Sequence, residues 1–206
     1  MLSPIQLIHI QLELECIGVT PDGFLYRIPG ENPDDLHRFF VARHAQGYIV
    51  YFGRDLEPSI VRRLQALQPV QPFEDIPAVR RILYGNAESD ANPWLGRAYT
   101  FETTPSPAEY PDAIAEGDSF VVRVGGQVAA RAWSSRSNTR AAELAVETVP
   151  EFRRRGYGRQ AAAAWAAHQL AVGRVAFYSH HRDNLTSLAL ARSLGVVQFM
   201  DAAGYP

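Results

Sequence analysis

The sequence has 206 residues, of which 47% are hydrophobic and 20% are charged, with a formal net charge of −2. This length and apolar content allow one large domain or two small ones, each with a core of its own. The nearly balanced charge argues against a nucleic-acid partner or a membrane-surface partner.

Signals for export and membrane insertion are not found in the sequence. No apolar stretch reaches the roughly 18 residues of a membrane span, and no basic region precedes the apolar N-terminal segment. Cys16 is alone, so it cannot form an intrachain disulfide. These features predict a cytoplasmic protein that has no membrane partner.

The first forty residues give two predicted elements. Apolar residues largely alternate over Ile5 to Ile17, which predicts a half-buried strand. Asp34 or Asp35 could cap a helix running through Leu36 to Ala42, where Leu36, Phe39 and Phe40 share one face.

Three further elements complete the first half. Tyr48 to Phe52 is predicted as a short strand, and Pro58 fits the first turn of a helix. Another helix is predicted from Ile76 or Pro77 to Tyr84, ended by Gly85.

The polar stretch Asn86 to Asn92 is predicted to be a linker. The expected division is therefore an N-terminal α+β region of uncertain type at 1–92 and a second domain at 93–206.

The second half alternates strand and helix patterns. Gly125-Gly126 predicts a tight hairpin between two of its strands. Strands are predicted at Arg97–Glu102, Ser119–Val124, Gln127–Ser134, Ala141–Val149, Arg174–Ser179 and Val196–Met200, and helices at Tyr157–Ala171 and Leu185–Leu194.

A glycine-containing turn lies between a predicted strand and the longest predicted helix. Arg153-Arg154-Arg155 is followed by Gly156-Tyr157-Gly158 and then by an alanine-rich run. The first N–H groups of a helix lack internal partners and carry the positive end of its dipole, and glycine lets a phosphate approach the backbone. The turn therefore predicts a phosphate or pyrophosphate site; a solvated turn is the alternative.

These motifs resemble those of the GNAT superfamily of N-acetyltransferases. The family's Arg/Gln-x-x-Gly-x-Gly/Ala motif matches Arg153 to Gly158, and Pro150-Glu151-Phe152 resembles its usual lead-in. The family's Asn-x-x-Ala/Ser-x-x-Leu motif matches Asn184 to Leu190, closed by Leu194-Gly195-Val196. Glu147 to Arg153, together with Phe177 to Ser179, further resembles certain two-part bacterial members with an extra N-terminal region.

The resemblance implies an α/β (α+β) fold with a mixed, mostly antiparallel central sheet flanked by helices. It implies acetyl-CoA or another acyl-CoA as cofactor, with its pyrophosphate on the turn and its pantetheine arm along the preceding strand. Asn184 would contact the pantetheine, although capping a helix also explains that residue. The implied cofactor-binding residues are Val146, Glu147, Thr148, Arg153, Arg154, Arg155, Gly156, Tyr157, Gly158, Arg159, Asn184 and Ser187.

One position departs from the family pattern. Many members have a tyrosine directly after the second motif, where it protonates the departing thiolate. The matching residue here is Ala191. That role is vacant or is filled by another residue.

Candidates for the general base are carboxylates and histidines near the predicted thioester. Glu143 and Glu147 lie four apart on one face of a predicted strand, and His180-His181 ends the next strand. Of the two histidines, His181 is the catalytic candidate. The histidine pair has no partners at zinc-site spacing, so no metal is expected. Trp133 and Ser134 line the acceptor pocket or pack in the core.

The predicted activity is direct transfer of an acetyl group from acetyl-CoA to a primary amine, with a small-molecule acceptor rather than a nucleic acid. Exposed sheet edges make a homodimer possible. A non-catalytic acyl-CoA-binding or sensing module is the alternative, and a purely structural interaction domain is the third hypothesis.

Overall fold

The computed structural model describes residues 2–30 and 36–206. The described part of the chain forms six α-helices and eleven strands. In chain order these are α1 (Pro4–Leu14), β1 (Ile17–Val19), β2 (Phe24–Arg27), β3 (Phe39–His44), β4 (Gly47–Gly53), α2 (Pro58–Gln65), α3 (Gln71–Glu74), α4 (Ile76–Tyr84), β5 (Trp94–Thr100), β6 (Ala113–Glu116), β7 (Ser119–Val124), β8 (Gln127–Ser137), β9 (Ala141–Thr148), α5 (Tyr157–Ala171), β10 (Val175–His181), α6 (Leu185–Leu194) and β11 (Val197–Tyr205).

The chain divides into two compact units. The first comprises Met1–Arg97 together with Phe199–Pro206, and the second comprises Ala98–Gln198. Strands β5 and β11 each contribute residues to both units. The C-terminal segment Phe199–Pro206 thus belongs to the first unit.

The first unit contains a sheet in the order β1-β2-β4-β3-β11. Strand β3 is antiparallel to β4 and β11, whereas β2 is parallel to β4. Helices α2 and α4 contribute Leu64 and Val79 to a core that contains Phe39, Val41 and Tyr205. The predicted strand at Tyr48–Phe52 and the predicted helices at Pro58 and Ile76–Tyr84 are confirmed here.

The strand predicted at Ile5–Ile17 is wrong, because most of this segment is helix α1. Ser3 caps the helix: its hydroxyl accepts from the Gln6 N–H, and the Gln6 side chain accepts from the Ser3 N–H. Pro4 occupies the first helical position, where its missing N–H costs nothing. The apolar residues at 8, 10, 12 and 14 alternate as in a strand, and those at 7, 8, 12 and 14 also share one face of a helix. The capping box favours the helix.

The helix predicted over Leu36–Ala42 is also wrong. Residues 39–44 form β3, which lies between two antiparallel neighbours and is buried on both faces. A short continuous apolar run can be a buried strand or part of a helix, and its aromatic and β-branched residues favour the strand. The proposed caps, Asp34 and Asp35, lie outside the described residues.

The second unit contains the strand order β5-β10-β9-β8-β7-β6. Every recorded neighbour pair in it is antiparallel except β9 with β10, which run parallel. The hairpin of β7 and β8 turns at Gly125 and Gly126, whose φ angles of 56° and 84° require glycine. The predicted fold class, a mixed and mostly antiparallel sheet flanked by helices, is confirmed.

Helix α5 packs its alanine run against this sheet. Residues Ala161–Ala167 are all buried, and Trp165 between them is fully buried. The Trp165 indole N–H donates to the Ser134 hydroxyl on β8 at 3.0 Å. Small side chains bring the helix close to the strands, so α5 holds its N-terminus at a fixed place beside the end of β9.

None of the described helices is long and apolar enough to cross a membrane.

Candidate functional site

The glycine turn, residues 153–158, joins β9 to α5. A short 3-10 turn at Pro150–Phe152 follows β9, and Gly156 then caps α5 with a φ of 84°. Arg154 also has a positive φ, of 60°, which is uncommon for a residue with a Cβ. The turn is therefore sharply bent and brings the chain directly into the first turn of the helix.

The N-terminus of α5 presents backbone donors. The first internal bond of the helix runs from the Gln160 N–H to the Gly156 carbonyl at 3.0 Å. The N–H groups of Tyr157, Gly158 and Arg159 precede it, and no capping side chain serves them at Gly156. Together with the helix dipole they form a site suited to a phosphate or carboxylate.

The two glycines of the turn serve different purposes. A Cβ at Gly156 would meet nothing within 4 Å, so this glycine supplies the left-handed backbone and leaves open space above the N–H groups. A Cβ at Gly158 would lie 2.6 Å from the Thr148 Oγ1. Gly158 is therefore required for the close approach of α5 to β9.

We expect Gly158→Ala to reduce the free energy of unfolding by about 1–3 kcal/mol, the usual range for overpacking. In a Thr148→Ala background the same substitution should cost far less, because the atom that clashes has been removed. Chemical denaturation of the two single variants and the double variant measures this coupling. Additive losses would contradict the close contact between Gly158 and Thr148.

The arginines of the turn differ in how they are held. The Arg153 Nε donates to the Thr148 carbonyl at 3.1 Å, and Arg155 lies 5.9 Å from the centre of the Phe152 ring. Arg159 donates to the Ser193 carbonyl at 2.8 Å and to the Glu109 carboxylate at 2.9 Å. Arg154 and Arg155 are exposed and make none of these hydrogen bonds, so they are the arginines available to a bound phosphate.

Strands β9 and β10 separate beside the turn. Among the described residues their parallel pairing runs from Val175↔Ala141 to Phe177↔Glu143 and ends there. Beyond that point β9 continues to Thr148, still paired with β8, and β10 continues to His181. The inner edge of β9, including Val146 and Thr148, is thereby available to an extended ligand along its backbone.

Glu143 stands at the point of separation. It is the last β9 residue paired with β10, and only 4% of its surface is exposed. Its carboxylate accepts a hydrogen bond from the Ser179 hydroxyl on β10 and lies 3.3 Å from the Arg136 Nη1. A buried carboxylate thus joins the two strands at the base of their opening.

Glu147, four residues further along β9, is exposed. It pairs across the sheet with Arg131 on β8. The structure therefore places the two predicted carboxylates in different surroundings, one buried and hydrogen-bonded, the other in contact with solvent.

Asn184 caps α6. Its Oδ1 accepts a hydrogen bond from the Ser187 N–H at 3.0 Å. The residue is exposed, so its side-chain N–H groups can still reach a ligand. The capping role is confirmed, and the pantetheine contact stays a prediction.

We expect Asn184→Ala to destabilise the protein by about 1 kcal/mol, because a helix loses its N-cap acceptor. Asn184→Ser should retain most of that stability, since serine caps equally well. Thermal unfolding of both variants tests the cap. Equal losses in the two variants would contradict it.

Residue 191, where many GNAT members have a tyrosine, lies inside the core. Ala191 is 1% exposed and belongs to a cluster that includes Tyr178 of β10. The Tyr178 hydroxyl is hydrogen-bonded to Ser187, one helical turn before Ala191, and burial raises the pKa of Tyr178. A phenol from β10 therefore reaches the face of α6 on which the family tyrosine is expected.

The two adjacent histidines have opposite surroundings. His180 is 7% exposed and stacks on Tyr99 with ring centres 5.4 Å apart, whereas the predicted His181 is exposed and lies 3.7 Å from Asp183. Within the described chain, the His180 Nε2 is buried without a hydrogen-bond partner. The catalytic candidate expected from the sequence is the exposed His181. The buried position of His180 follows from alternation along β10, in which Ala176 and Tyr178 are also buried.

No group of three or more His, Cys, Asp or Glu side chains in the described ranges is arranged to hold a metal ion.

Trp133 and Ser134 line a cavity of about 640 Å³ at the C-terminal end of α5.

Comparison with solved structures places this arrangement among known folds. A GNAT-family acetyltransferase from Colwellia psychrerythraea is similar with a TM-score of 0.50 at 11% identity, over 92% of this chain and 79% of that one. A GCN5-related N-acetyltransferase-like protein from Streptococcus suis gives 0.45 at 16% identity, over 85% of both chains. A GNAT-family protein from Novosphingobium aromaticivorans gives 0.45 at 20% identity, over 56% of this chain, which spans 66% of that one.

No curated protein matches the sequence. The family model described as GNAT acetyltransferase matches residues 108–200, which include the glycine turn, the opening between β9 and β10, and α6. The similarity to the GNAT acetyltransferase family thus covers residues 108–200, slightly less than half of the chain.

Proposed function

We propose that this protein transfers an acetyl group from acetyl-CoA directly to a primary amine of a small molecule. The observation that carries the proposal is the N-terminus of α5, with three backbone N–H groups in front of its first hydrogen bond, set beside the opening between β9 and β10. The near-neutral net charge favours a small acceptor over a polyanionic one.

The residues present fit an acyl-CoA. The N–H groups of Tyr157 to Arg159, with Arg154 and Arg155, would hold the pyrophosphate, and the left-handed Gly156 leaves room above them. The free edge of β9 at Val146 to Thr148 would pair with the amides of the pantetheine arm, and the exposed Asn184 amide would contact the same arm. When bound, acetyl-CoA supplies an acetyl carbon activated as a thioester, which passes to the amine as the thiol leaves.

Glu143 and Ser179 are proposed to take the proton of the acceptor. An ammonium must lose a proton before its nitrogen can attack, and a positioned base supplies this step. The Ser179 hydroxyl can accept that proton while giving its own to the Glu143 carboxylate, to which it is already hydrogen-bonded. Glu147, exposed on the same face of β9, is then free to attract the ammonium.

Tyr178 is proposed to protonate the departing thiolate in place of the residue missing at Ala191. A phenol is protonated at neutral pH, and burial raises the pKa of Tyr178 further, so a proton is present on its hydroxyl when the thiolate leaves. Ser187 holds the hydroxyl on the face of α6 that also carries Ala191.

Calorimetric titration with acetyl-CoA tests the first part of the proposal. We expect saturable binding with a Kd in the micromolar range, about −8 kcal/mol. Incubation with a panel of amines should then release free CoA thiol, detected with a chromogenic disulfide. Light scattering on the same preparation measures the molar mass in solution and so tests the expected homodimer.

The packing of Ala191 into the core favours a second candidate function, a non-catalytic acyl-CoA-binding module. Tight binding of acetyl-CoA without thiol release for any amine would support that module. No binding at millimolar acetyl-CoA would exclude both functions.

A further inference from the structure

A cavity lies at the C-terminal end of α5, at the opposite end of that helix from the glycine turn. Its volume is about 640 Å³, within the range of small-molecule sites. It is lined by the turn between β6 and β7, by β8, by the last turn of α5 and by Arg174. Its described lining includes no residue of β9, β10 or α6, so it is separate from the proposed acetyl-CoA site.

Two arginines of this cavity are held by neutral, buried side chains. Arg131 donates from Nε and Nη2 to the Ser119 hydroxyl at 2.9 and 2.7 Å, and Ser119 is 2% exposed. Arg174 donates from Nη1 to the Gln169 Oε1 at 3.1 Å, and Gln169 is 5% exposed. The buried partners fix the two guanidinium groups without neutralising their charge.

These arginines differ from several others in the described chain, which form ion pairs. Arg43, Arg123 and Arg159, for example, lie 2.6 to 2.9 Å from carboxylate oxygens. Neither Arg131 nor Arg174 is ion-paired with a carboxylate among residues 2–30 and 36–206. Asp118 is the only carboxylate among the described residues that line the cavity. Glu116 nearby is bonded to Arg123 and interacts with Arg131 only through the longer-range attraction of their charges.

The C-terminal carbonyl groups of α5 do not neutralise the charges of Arg131 and Arg174. The carbonyls of His168, Gln169 and Leu170 accept hydrogen bonds from the N–H groups of Val172, Arg174 and Gly173. The helix C-terminus is therefore already capped by backbone donors, and both arginines line the cavity.

Aromatic surfaces complete the lining. Trp133 lies across the sheet from Ser119, and the Arg131 guanidinium is 5.8 Å from its ring centre. Phe120 is half-buried and lies 5.6 Å from the His168 ring, centre to centre. The cavity thus combines fixed positive charge with flat apolar walls.

We infer that this cavity is a second binding site, for a small organic anion that joins a carboxylate or phosphate to a flat apolar group. Arg131 and Arg174 bind the oxyanion by charge-assisted hydrogen bonds, and Trp133 and Phe120 contact the apolar part. The site does not depend on the proposed acetyl transfer.

Phenyl phosphate is the first probe and phenol its neutral counterpart, with binding followed by calorimetry and by tryptophan fluorescence. Trp133 lines the cavity and Trp165 is bonded to the lining residue Ser134, so both report on occupancy. The titration uses full-length Gly156→Glu protein, whose glycine turn is closed to phosphate, so that binding cannot come from the acetyl-CoA site. We expect saturable binding of phenyl phosphate and at least tenfold weaker binding of phenol.

Arg131→Gln and Arg174→Gln should each weaken phenyl phosphate binding about tenfold, the effect of losing one charge-assisted hydrogen bond worth roughly 1.4 kcal/mol. Arg63→Gln is the matched control, because it removes an exposed arginine of α2 that does not line the cavity. Benzoate in place of phenyl phosphate separates a carboxylate ligand from a phosphate ligand. Unchanged affinity in a folded variant that carries both Arg131→Gln and Arg174→Gln, or phenol binding as tightly as phenyl phosphate, would overturn the inference.

Discussion

Gly156→Glu abolishes acetyl-CoA binding while the protein stays folded: this is the expected result with the largest effect on affinity. The substitution places a carboxylate above the N–H groups of Tyr157, Gly158 and Arg159, where the pyrophosphate is proposed to lie. Loss of two charge-assisted hydrogen bonds, at roughly 1.5–3 kcal/mol each, weakens binding by at least about 100-fold. Calorimetry with acetyl-CoA measures the change in Kd.

The fold itself should tolerate this change. A Cβ at Gly156 meets no atom within 4 Å, so the cost to stability is the left-handed backbone alone, about 1–2 kcal/mol. Gly173→Glu is the matched control. It lies beyond the other end of α5 with a φ of 79°, its Cβ would also meet nothing within 4 Å, and the charge change is identical.

Both variants should unfold at similar temperatures, and only Gly156→Glu should lose acetyl-CoA. Equal loss of affinity in the two variants would mean that net charge or helix strain weakens binding, and the glycine turn would then not be the phosphate site.

The elements around the glycine turn could be predicted from sequence because their signals are local. Gly125-Gly126 fixes a hairpin, and Gly156 and Gly195 bound the two helices, so α5 and α6 were predicted with the ends that the structure has. Strands β9 and β10 were likewise located to within two residues, because each is a largely apolar segment beside one of those helices.

The first unit was predicted less well because its segments are apolar on more than one face. In α1 the buried residues 8, 10, 12 and 14 alternate as in a strand, while the buried residues 7, 8, 11 and 12 share one face of a helix. In β3 the contiguous run Phe39–Ala42 is buried on both faces by neighbours distant in sequence. For such segments, tertiary pairing decides the secondary structure, and a sequence window does not contain it.

The chemistry of the candidate site depends on contacts that sequence spacing does not reveal. Glu143 and Glu147 have the same spacing signal, yet one is buried against Ser179 and Arg136 and the other is exposed. The approach of Tyr178 to α6 and the cavity between β8 and α5 also join residues from separate elements. Spacing identified candidates, and packing distinguishes among them.

Glu143→Gln should reduce kcat by about 100- to 10,000-fold, the usual contribution of a general base. Glutamine keeps the volume and can still accept from Ser179, but its amide cannot take up a proton. KM for acetyl-CoA should change little, because the residue lies outside the glycine turn. Steady-state kinetics with the best amine from the panel measures both constants.

A pH profile separates a catalytic role from a structural one. In the wild type, kcat/KM should fall on the acid side as the base becomes protonated, and Glu143→Gln should lose that limb. Ser179→Ala should reduce kcat less and keep the limb, because a water molecule can replace the hydroxyl between the amine and the carboxylate. Loss of packing alone would lower activity without changing the shape of the profile.

Glu116→Gln is the matched control for this substitution. It makes the same chemical change and also removes a carboxylate bonded to an arginine, Arg123, but on the exposed surface of β6. Its kcat should equal that of the wild type.

Glu143→Gln should lower the melting temperature only slightly. The partner of Glu143, Arg136, has a side chain that is 38% exposed, so it stays hydrated when residue 143 is neutral. Full activity of Glu143→Gln would transfer the role of the base to Glu147 or His181, and Glu147→Gln and His181→Gln then distinguish those two.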